Sequence, residues 1–522
     1  MASAPSFEDL TETTGIPISK EAADMMYTRY RLAARAARGK RVLELGCGDG
    51  GNLIPMAFGL PRSEFVGIDL AARPIAKGQA LVEALGLANI RLLQLDVMDV
   101  TPDLGFFDYI IAHGVYSWVP PAVQDKILAI CKAPLAPQGV AYVSYNTYPA
   151  YHFKRMVRDM MRFHVRHLVE PDRRVEQGVA FLGFLVESTS ASDTYGMLLR
   201  HILGDLLERS RESIYHDELA EINAPVHFHE FVEHAARHGL QFLSEEDFFL
   251  MQDRPFPDRV RDGLRALAGG DILLREQYLD FLHGRHFRKT LLCHREVPLD
   301  RALRPEQMMG FHIASPARPV SPAPDIPSAA VEEFRGSDGA AMATGHPLAK
   351  AAIMTLGETW PRSLPFEDLL AKSRGRLGRD AKNGLEPGQD AMALCQILLE
   401  TYAAGLVELH LYVPAFVVEV SERPMASPLA RLQARDGNSV TTLRHTRIQM
   451  DGDLERHLLL SLDGTRDRAA LLRDLAGLVD SGAITVRESG TPVHDRAKGL
   501  KIVREGLEPN LTRVARLALL VA

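Results

Sequence analysis

Cysteine is scarce in this chain. The four present, Cys47, Cys131, Cys293 and Cys395, lie far apart and form no CxxC pair. That excludes a disulfide framework and a Cys-rich zinc site, and it fits a reducing cytoplasm. Long apolar runs are also missing: no stretch of about 18 uncharged apolar residues occurs, so a membrane-spanning helix is not expected. Residues 1–8 have neither a basic n-region nor an apolar h-region, so no secretory signal is expected. Positive charge is not in excess, since 60 Lys and Arg face 67 Asp and Glu for a net charge of −7. Whole-chain electrostatics therefore give no reason to expect nucleic-acid binding. What is present is ordinary: 46% hydrophobic and 24% charged residues mark a globular protein. Its length suggests about three or four domains.

Residues 40–146 alternate between short apolar runs and helical stretches. Strand candidates are 41–45, 64–68, 90–95, 107–112 and 139–144, each bounded by Gly, Pro, Asp or Asn. Helices are expected between them, at 73–85 and 122–132. This alternation predicts a mostly parallel sheet covered on both faces. From 152 to about 309 the sequence reads as almost all helix. Phe153, Met156, Val157, Met160, Met161 and His164 share one face, and Lys154, Arg158, Arg162 and Arg166 form a basic stripe on another. Such a run is expected to form a second domain outside the sheet.

Residues 313–327 hold five prolines and 336–344 are rich in Gly and Ala, which reads as a semi-extended linker. A third unit begins near His346, with helices at 347–359, 365–376 and 389–404 and extended stretches at 406–411 and 415–420. Three helices and a hairpin suggest a winged-helix-like module, with more helix over 455–522. The expected domains are thus 1–150, 151–312, a linker over 313–343, and 344–522.

The strongest local signal is VLELGCGDGGN at 42–52, a strand followed by a glycine-rich turn and a helix. Gly46-x-Gly48-x-Gly50 is the S-adenosylmethionine (SAM) pattern, whereas Gly46-x-Gly48-x-x-Gly51 is the dinucleotide pattern. Three acids favour SAM. Glu44 stands two residues before the first glycine, where a carboxylate suits the cationic methionine end and would oppose a pyrophosphate. Asp69 ends the second strand, placed to accept bonds from ribose hydroxyls, which either ligand would want. Asp96 ends the third, placed for the adenine amino group, although a turn-capping role would also explain it. All three strand ends share the carboxyl edge of the sheet, where such folds bind ligands.

Segments 42–57, 65–70, 110–119 and 139–146, together with 228–239 and 276–282, resemble the class I methyltransferases that carry a methyltransferase regulatory domain. That group includes bacterial protein-lysine methyltransferases acting on outer-membrane proteins. The resemblance covers about residues 20–310 well and the remainder in architecture only; 14–30 departs from the family's pattern. It implies an α/β fold: a Rossmann-like SAM methyltransferase sheet, a helical regulatory domain and a winged-helix-like C-terminal module. With it, the candidate cofactor-binding set is Glu44, Gly46, Cys47, Gly48, Asn52, Asp69, Leu70, Asp96, Val97 and His113. His113 enters because its position lines the cofactor pocket in that family.

Methyl transfer from SAM is an in-line displacement, so the enzyme must position the nucleophile and exclude water. A lysine acceptor must also lose a proton, and only about one free amine in a few thousand is neutral at pH 7. Aromatic walls desolvate an ammonium while still attracting it through their faces. Tyr116 and Trp118, one of only two tryptophans, follow the fourth strand, and Tyr145, Tyr148 and Tyr151 follow the fifth. Asn146 could accept a bond from the acceptor amine. The candidates on the acceptor side are therefore Tyr116, Trp118, Tyr145 and Asn146, against the alternative that the aromatics pack a domain junction.

Other readings are less favoured. His227, His229, Glu230, His234 and His238 invite a metal, but Glu230, His234 and His238 lie in a line along two turns and HExxH is absent, so no metal site is expected. The C-terminal module has a basic turn at Lys372, Arg374, Arg376, Arg379 and Lys382, yet no Lys or Arg between 383 and 422, which argues against DNA reading. The expectation is a cytoplasmic SAM-dependent methyltransferase with a protein or peptide acceptor, favouring a lysine side chain. A homodimer is admitted, and neither nucleic acid nor a membrane span is expected. A small-molecule or peptide methyltransferase of a biosynthetic pathway, and a non-catalytic SAM-binding regulator, are the alternatives.

Overall fold

The computed structural model describes residues 39–336, 339–378, 387–484, 486–488, 491–493 and 495–522. The atypical stretch 14–30, Arg379 and Lys382 lie outside the described residues. The chain divides into two compact units, with the change at Leu299 and Asp300.

The first unit is built on one sheet. Strands β1 (Arg41–Leu45), β2 (Glu64–Asp69), β3 (Ile90–Gln94), β4 (Phe107–Ala112) and β5 (Leu135–Asn146) alternate with helices α1 (Leu53–Gly59), α2 (Ala72–Ala84) and α3 (Pro121–Ile130). The β1 run Val42–Leu45 is buried throughout, as a central parallel strand covered on both faces must be. Parallel pairing sets Leu43 opposite Val66 on β2 and Ile110 on β4.

Beyond β5 come α4 (Tyr151–His164), α5 (Pro171–Ser188), α6 (Thr194–Leu207), α7 (Phe228–Arg237), β6 (Leu240–Glu245), α8 (Asp258–Ala268), α9 (Ile272–His283) and β7 (Phe287–His294). Here the almost-all-helix expectation is corrected. β6 and β7 join the same sheet antiparallel, giving the order β3-β2-β1-β4-β5-β7-β6. The strand signal in β7 is hidden because Arg288 points inward and is fully buried. Its guanidinium meets Asp280 at 2.9 Å and Glu245 at 2.7 Å, and lies 3.9 Å from the Phe228 ring centre. Glu276 beside it is pushed up to about 7 by burial, against the pull of Arg288.

The helices α4 to α6 have their own core around Val157, Met161, Leu182 and Leu199. The basic stripe on α4 is not a uniform solvated face: Arg158 is buried and donates to the carbonyls of Asp217 and Ala220. Phe153, placed by its spacing on the apolar face, is exposed instead. Helix α7 lays Phe228, Phe231, Val232 and Ala235 onto the sheet.

In the second unit the expected linker is also corrected. Strands β8 (His312–Ala314), β9 (Arg318–Pro319), β10 (Glu332–Arg335) and β11 (Ala341–Thr344) occupy it, and β9 to β11 form a three-stranded sheet. Phe334 is fully buried there against Ala317 and Ile353, enough apolar contact to order a proline-rich stretch. Lys350 is buried too, its ammonium donating to the carbonyls of Asp325, Ser328 and Ala330.

Helices α10 (Pro347–Thr359), α11 (Phe366–Arg376) and α12 (Pro387–Ala403) fall close to where the sequence places them. The hairpin expected after them does not form: Glu408–His410 pairs with β8, and Val417 bridges Leu520. Four more helices, Pro428–Asp436, Asp453–Ser461, Arg468–Asp480 and Arg496–Arg516, close around Leu458, Leu471 and Leu511. Arg374 and Arg376 are ion-paired with Asp390 and Glu358. Among the described residues no helix is long and apolar enough to cross a membrane.

Candidate active site

The glycine-rich loop leaves β1 with three left-handed residues in alternation, Gly46 (φ 72°), Gly48 (φ 54°) and Gly50 (φ 75°). A Cβ would strain each, so the residue type is set by the backbone path. The amides of Gly46 and Cys47 both donate to the Ile68 carbonyl, at 2.9 and 3.0 Å, folding the loop over the end of β2. Helix α2 comes so close that a Cβ on Gly78 would stand 2.4 Å from the Asp49 carbonyl oxygen.

Asp69 fastens this loop. Its Oδ2 accepts the Gly48 N–H at 2.8 Å and its Oδ1 the Ala71 N–H at 2.9 Å. A carboxylate has about four acceptor sites, which leaves Asp69 room for a ligand hydroxyl. Burial raises the Asp69 carboxyl despite those bonds. Glu44 is buried beneath the loop, with Oε1 accepting from Asn52 Nδ2 at 3.1 Å and Oε2 meeting no hydrogen-bond donor. Burial pushes its carboxyl up to about 8. A buried carboxylate oxygen without a donor is costly unless a ligand supplies one, and the ammonium of a methionine moiety does so.

Asp96 caps the turn that contains Val97, accepting the Met98 N–H at 2.8 Å, so its local role is real. Leu70 and Val97 are half-buried at the ends of β2 and β3. His113, just past β4, meets the Tyr142 hydroxyl at 3.0 Å through Nδ1, and burial pulls it down to about 3. It is a neutral ring at physiological pH. The chain thus brings Glu44, the loop with Cys47 and Asn52, Asp69, Leu70, Asp96, Val97 and His113 to one carboxyl edge, spanning β3, β2, β1 and β4.

The four acceptor-side candidates divide. Tyr116 and Tyr145 are buried, 2% and 1% exposed, and Tyr116 also lines a cleft with Asp125 and Tyr148. Tyr145 stacks on Phe231 with ring centres 4.0 Å apart and its hydroxyl bonds Thr290 Oγ1 at 3.0 Å. Tyr116 meets Phe231 edge-on and its hydroxyl bonds His234 Nδ1 at 2.8 Å. Trp118 is half-buried, with its ring 4.4 Å from that of His216. Asn146 ends β5; its backbone N–H donates to Ser117 Oγ at 2.9 Å and its carbonyl accepts from Val226, while its buried side-chain Nδ2 has no partner. Tyr148 stacks on His152, and Tyr151 is buried with its hydroxyl bonded to Asn223.

Sequence reasoning missed Ser117 and Ser144, which anchor the backbone of Asn146 and Gly114. Nothing in a lone serine marks that duty; the pairing of β4 with β5 creates it. Glu230 bonds the His227 N–H at 2.7 Å, and His229 bonds Gln277.

A parallel sheet of this order, extended by an antiparallel strand, with an acid-flanked glycine loop, is the class I SAM-dependent methyltransferase fold, and its cofactor is SAM. Three family descriptions match the chain: "Methyltransferase domain" over 42–139, "Predicted methyltransferase regulatory domain" over 210–294, and "PKMT, C-terminal winged helix domain" over 422–519. The uncharacterized protein RP789 of Rickettsia prowazekii is 32% identical over 504 residues, covering 95% of this chain and 89% of that protein. The solved structure of PKMT2 from Rickettsia typhi superposes with a TM-score of 0.84 at 26% identity, covering 97% of this chain and 100% of that one. Its complex with AdoHcy gives 0.83 at the same 26% identity, over 98% and 99% of the two chains. The chain belongs to the family of SAM-dependent methyltransferases that join these methyltransferase, regulatory and PKMT winged-helix domains.

Proposed function

We propose that this protein methylates the side-chain amine of a lysine in a protein acceptor. The observation that carries the reading is the likeness to PKMT2 along the whole chain, the C-terminal winged-helix region included. SAM supplies the electrophilic methyl group. Glu44 holds the methionine ammonium through its free oxygen, and Asp69 takes the ribose hydroxyls. Asp96 and Val97 flank the adenine, and neutral His113 lines the pocket.

On the acceptor side, the Trp118 face desolvates the amine and favours its neutral form. A half-turn of the Asn146 amide brings its oxygen to where an amine proton can be accepted. The serine bond to its backbone holds it in place. The four cysteines are all buried and none forms a disulfide, which fits a reducing cytoplasm.

Incubating the protein with methyl-labelled SAM and cell extract tests this. Label is expected in protein, on lysine. Label confined to small molecules would favour a biosynthetic methyltransferase, and binding without turnover would favour a regulator. Trp118→Ala should depress transfer far more than SAM affinity; equal losses in both would return Trp118 to a packing or cofactor role.

A further inference from the structure

The histidines of α7 find a partner that their own helix does not supply. His234 and His238 are one turn apart and turn their Nε2 atoms toward the same oxygen, Oδ1 of Asp125 on α3, at 3.3 and 2.9 Å. The three donor atoms lie within 4.8 Å of one another. In a tetrahedron with metal–ligand bonds of about 2.0 Å the ligand atoms stand about 3.3 Å apart, close to the separations of the two Nε2 atoms from Asp125 Oδ1. The linear arrangement that argued against a metal involved Glu230, which is occupied at the start of its helix. Asp125 approaches from the side and converts a line into a triangle.

We infer that Asp125, His234 and His238 form a binding site for a divalent cation of the zinc class, leaving a fourth position for water. Two imidazoles and a carboxylate suit such a borderline ion. The far ring nitrogen of His234 bonds the buried Tyr116 hydroxyl at 2.8 Å, the second contact by which metal-ligating histidines are oriented. The site lies at the rim of a cleft of about 860 Å³ that Tyr148, Val226 and Glu230 also line. A bound ion would tie α3, which follows the Trp118 turn, to α7.

Cobalt(II) chloride titrated into the chelator-stripped full chain gives the test, read by visible absorption. The expected result is one equivalent bound with the intense bands of a four-coordinate ion, displaced by Zn²⁺. Asp125→Asn and His238→Ala should each weaken binding roughly tenfold or more. His229→Ala, on the same helix but bonded to Gln277, should bind as the wild type does, and SAM titration of every variant reports that it is folded. A wild type with no saturable equivalent would overturn the inference. So would Asp125→Asn binding as tightly as wild type, or His229→Ala losing as much as Asp125→Asn.

Discussion

Glu44 should couple cofactor binding to pH. Burial pushes its carboxyl up to about 8 from an ordinary 4.5, with the Asn52 bond lowering it and the Asp69 charge raising it. Near neutrality the unliganded protein therefore keeps a proton on Glu44. An ammonium set against Oε2 demands the carboxylate, so SAM binding expels that proton. Below about pH 8 the apparent affinity should rise about tenfold per pH unit, equivalent to about 1.4 kcal/mol, and then level off. Calorimetry in two buffers of different ionisation enthalpy reads both the affinity and the released proton.

The same shift has a stability consequence of opposite sense. The unfolded chain loses this proton near 4.5, whereas the folded protein holds it until about 8. Stability of the unliganded protein is fully present below the lower value. It falls as pH rises through the upper one, by about 5 kcal/mol from this group. Glu44→Gln should flatten both profiles: a chemically denatured series should lose that slope, and SAM affinity should become weaker and independent of pH. A wild-type affinity that does not change between about pH 6 and pH 8, or a slope that survives in Glu44→Gln, would refute the reasoning.

Asp69→Ala removes both the loop anchors and the ribose acceptor, and calorimetry should find SAM binding weaker by about 1.5–3 kcal/mol; NAD binding in place of SAM would overturn the cofactor assignment. Arg288→Met strands Glu245 and Asp280 in the core and should cost about 3–5 kcal/mol in urea unfolding. A chain ending at Leu299 keeps the whole seven-stranded sheet, so it should melt cooperatively and bind SAM, yet lose most activity on a macromolecular acceptor because remote contacts orient the amine.

Local pattern was legible where residues report their own environment. β1 and β4 run over the residues the apolar runs predicted, and Glu44, Asp69 and Asp96 were placed by their distance from glycines and strand ends. Patterns failed where polar residues face inward. Arg288 disguises β7, and Pro319 makes a sheet edge look like a linker, although proline is tolerated on an edge. Tyr116 and Tyr145 drew notice because both sit near strand ends; their packing on Phe231, from a helix more than 80 residues away, carried no local signal. Asp125 carried no signal at all, since its partners are on another helix.

The strand order also dictates a sequence of events during synthesis. β5 lies between β4 and β7, and its Ala141–Asn146 stretch pairs with residues of Phe287–Leu292. At roughly 5–20 residues per second, about 7–30 s separate translation of the two partners. For that interval the nascent chain carries a 12-residue strand with one side open, rich in Val and Tyr and bare of charge, the kind of edge that recruits other strands. The regulatory segment therefore acts first as an intramolecular guard on the growing polypeptide. Its last strand covers the open side of β5, so lesions in 287–292 should surface as poor yield before they surface as lost turnover.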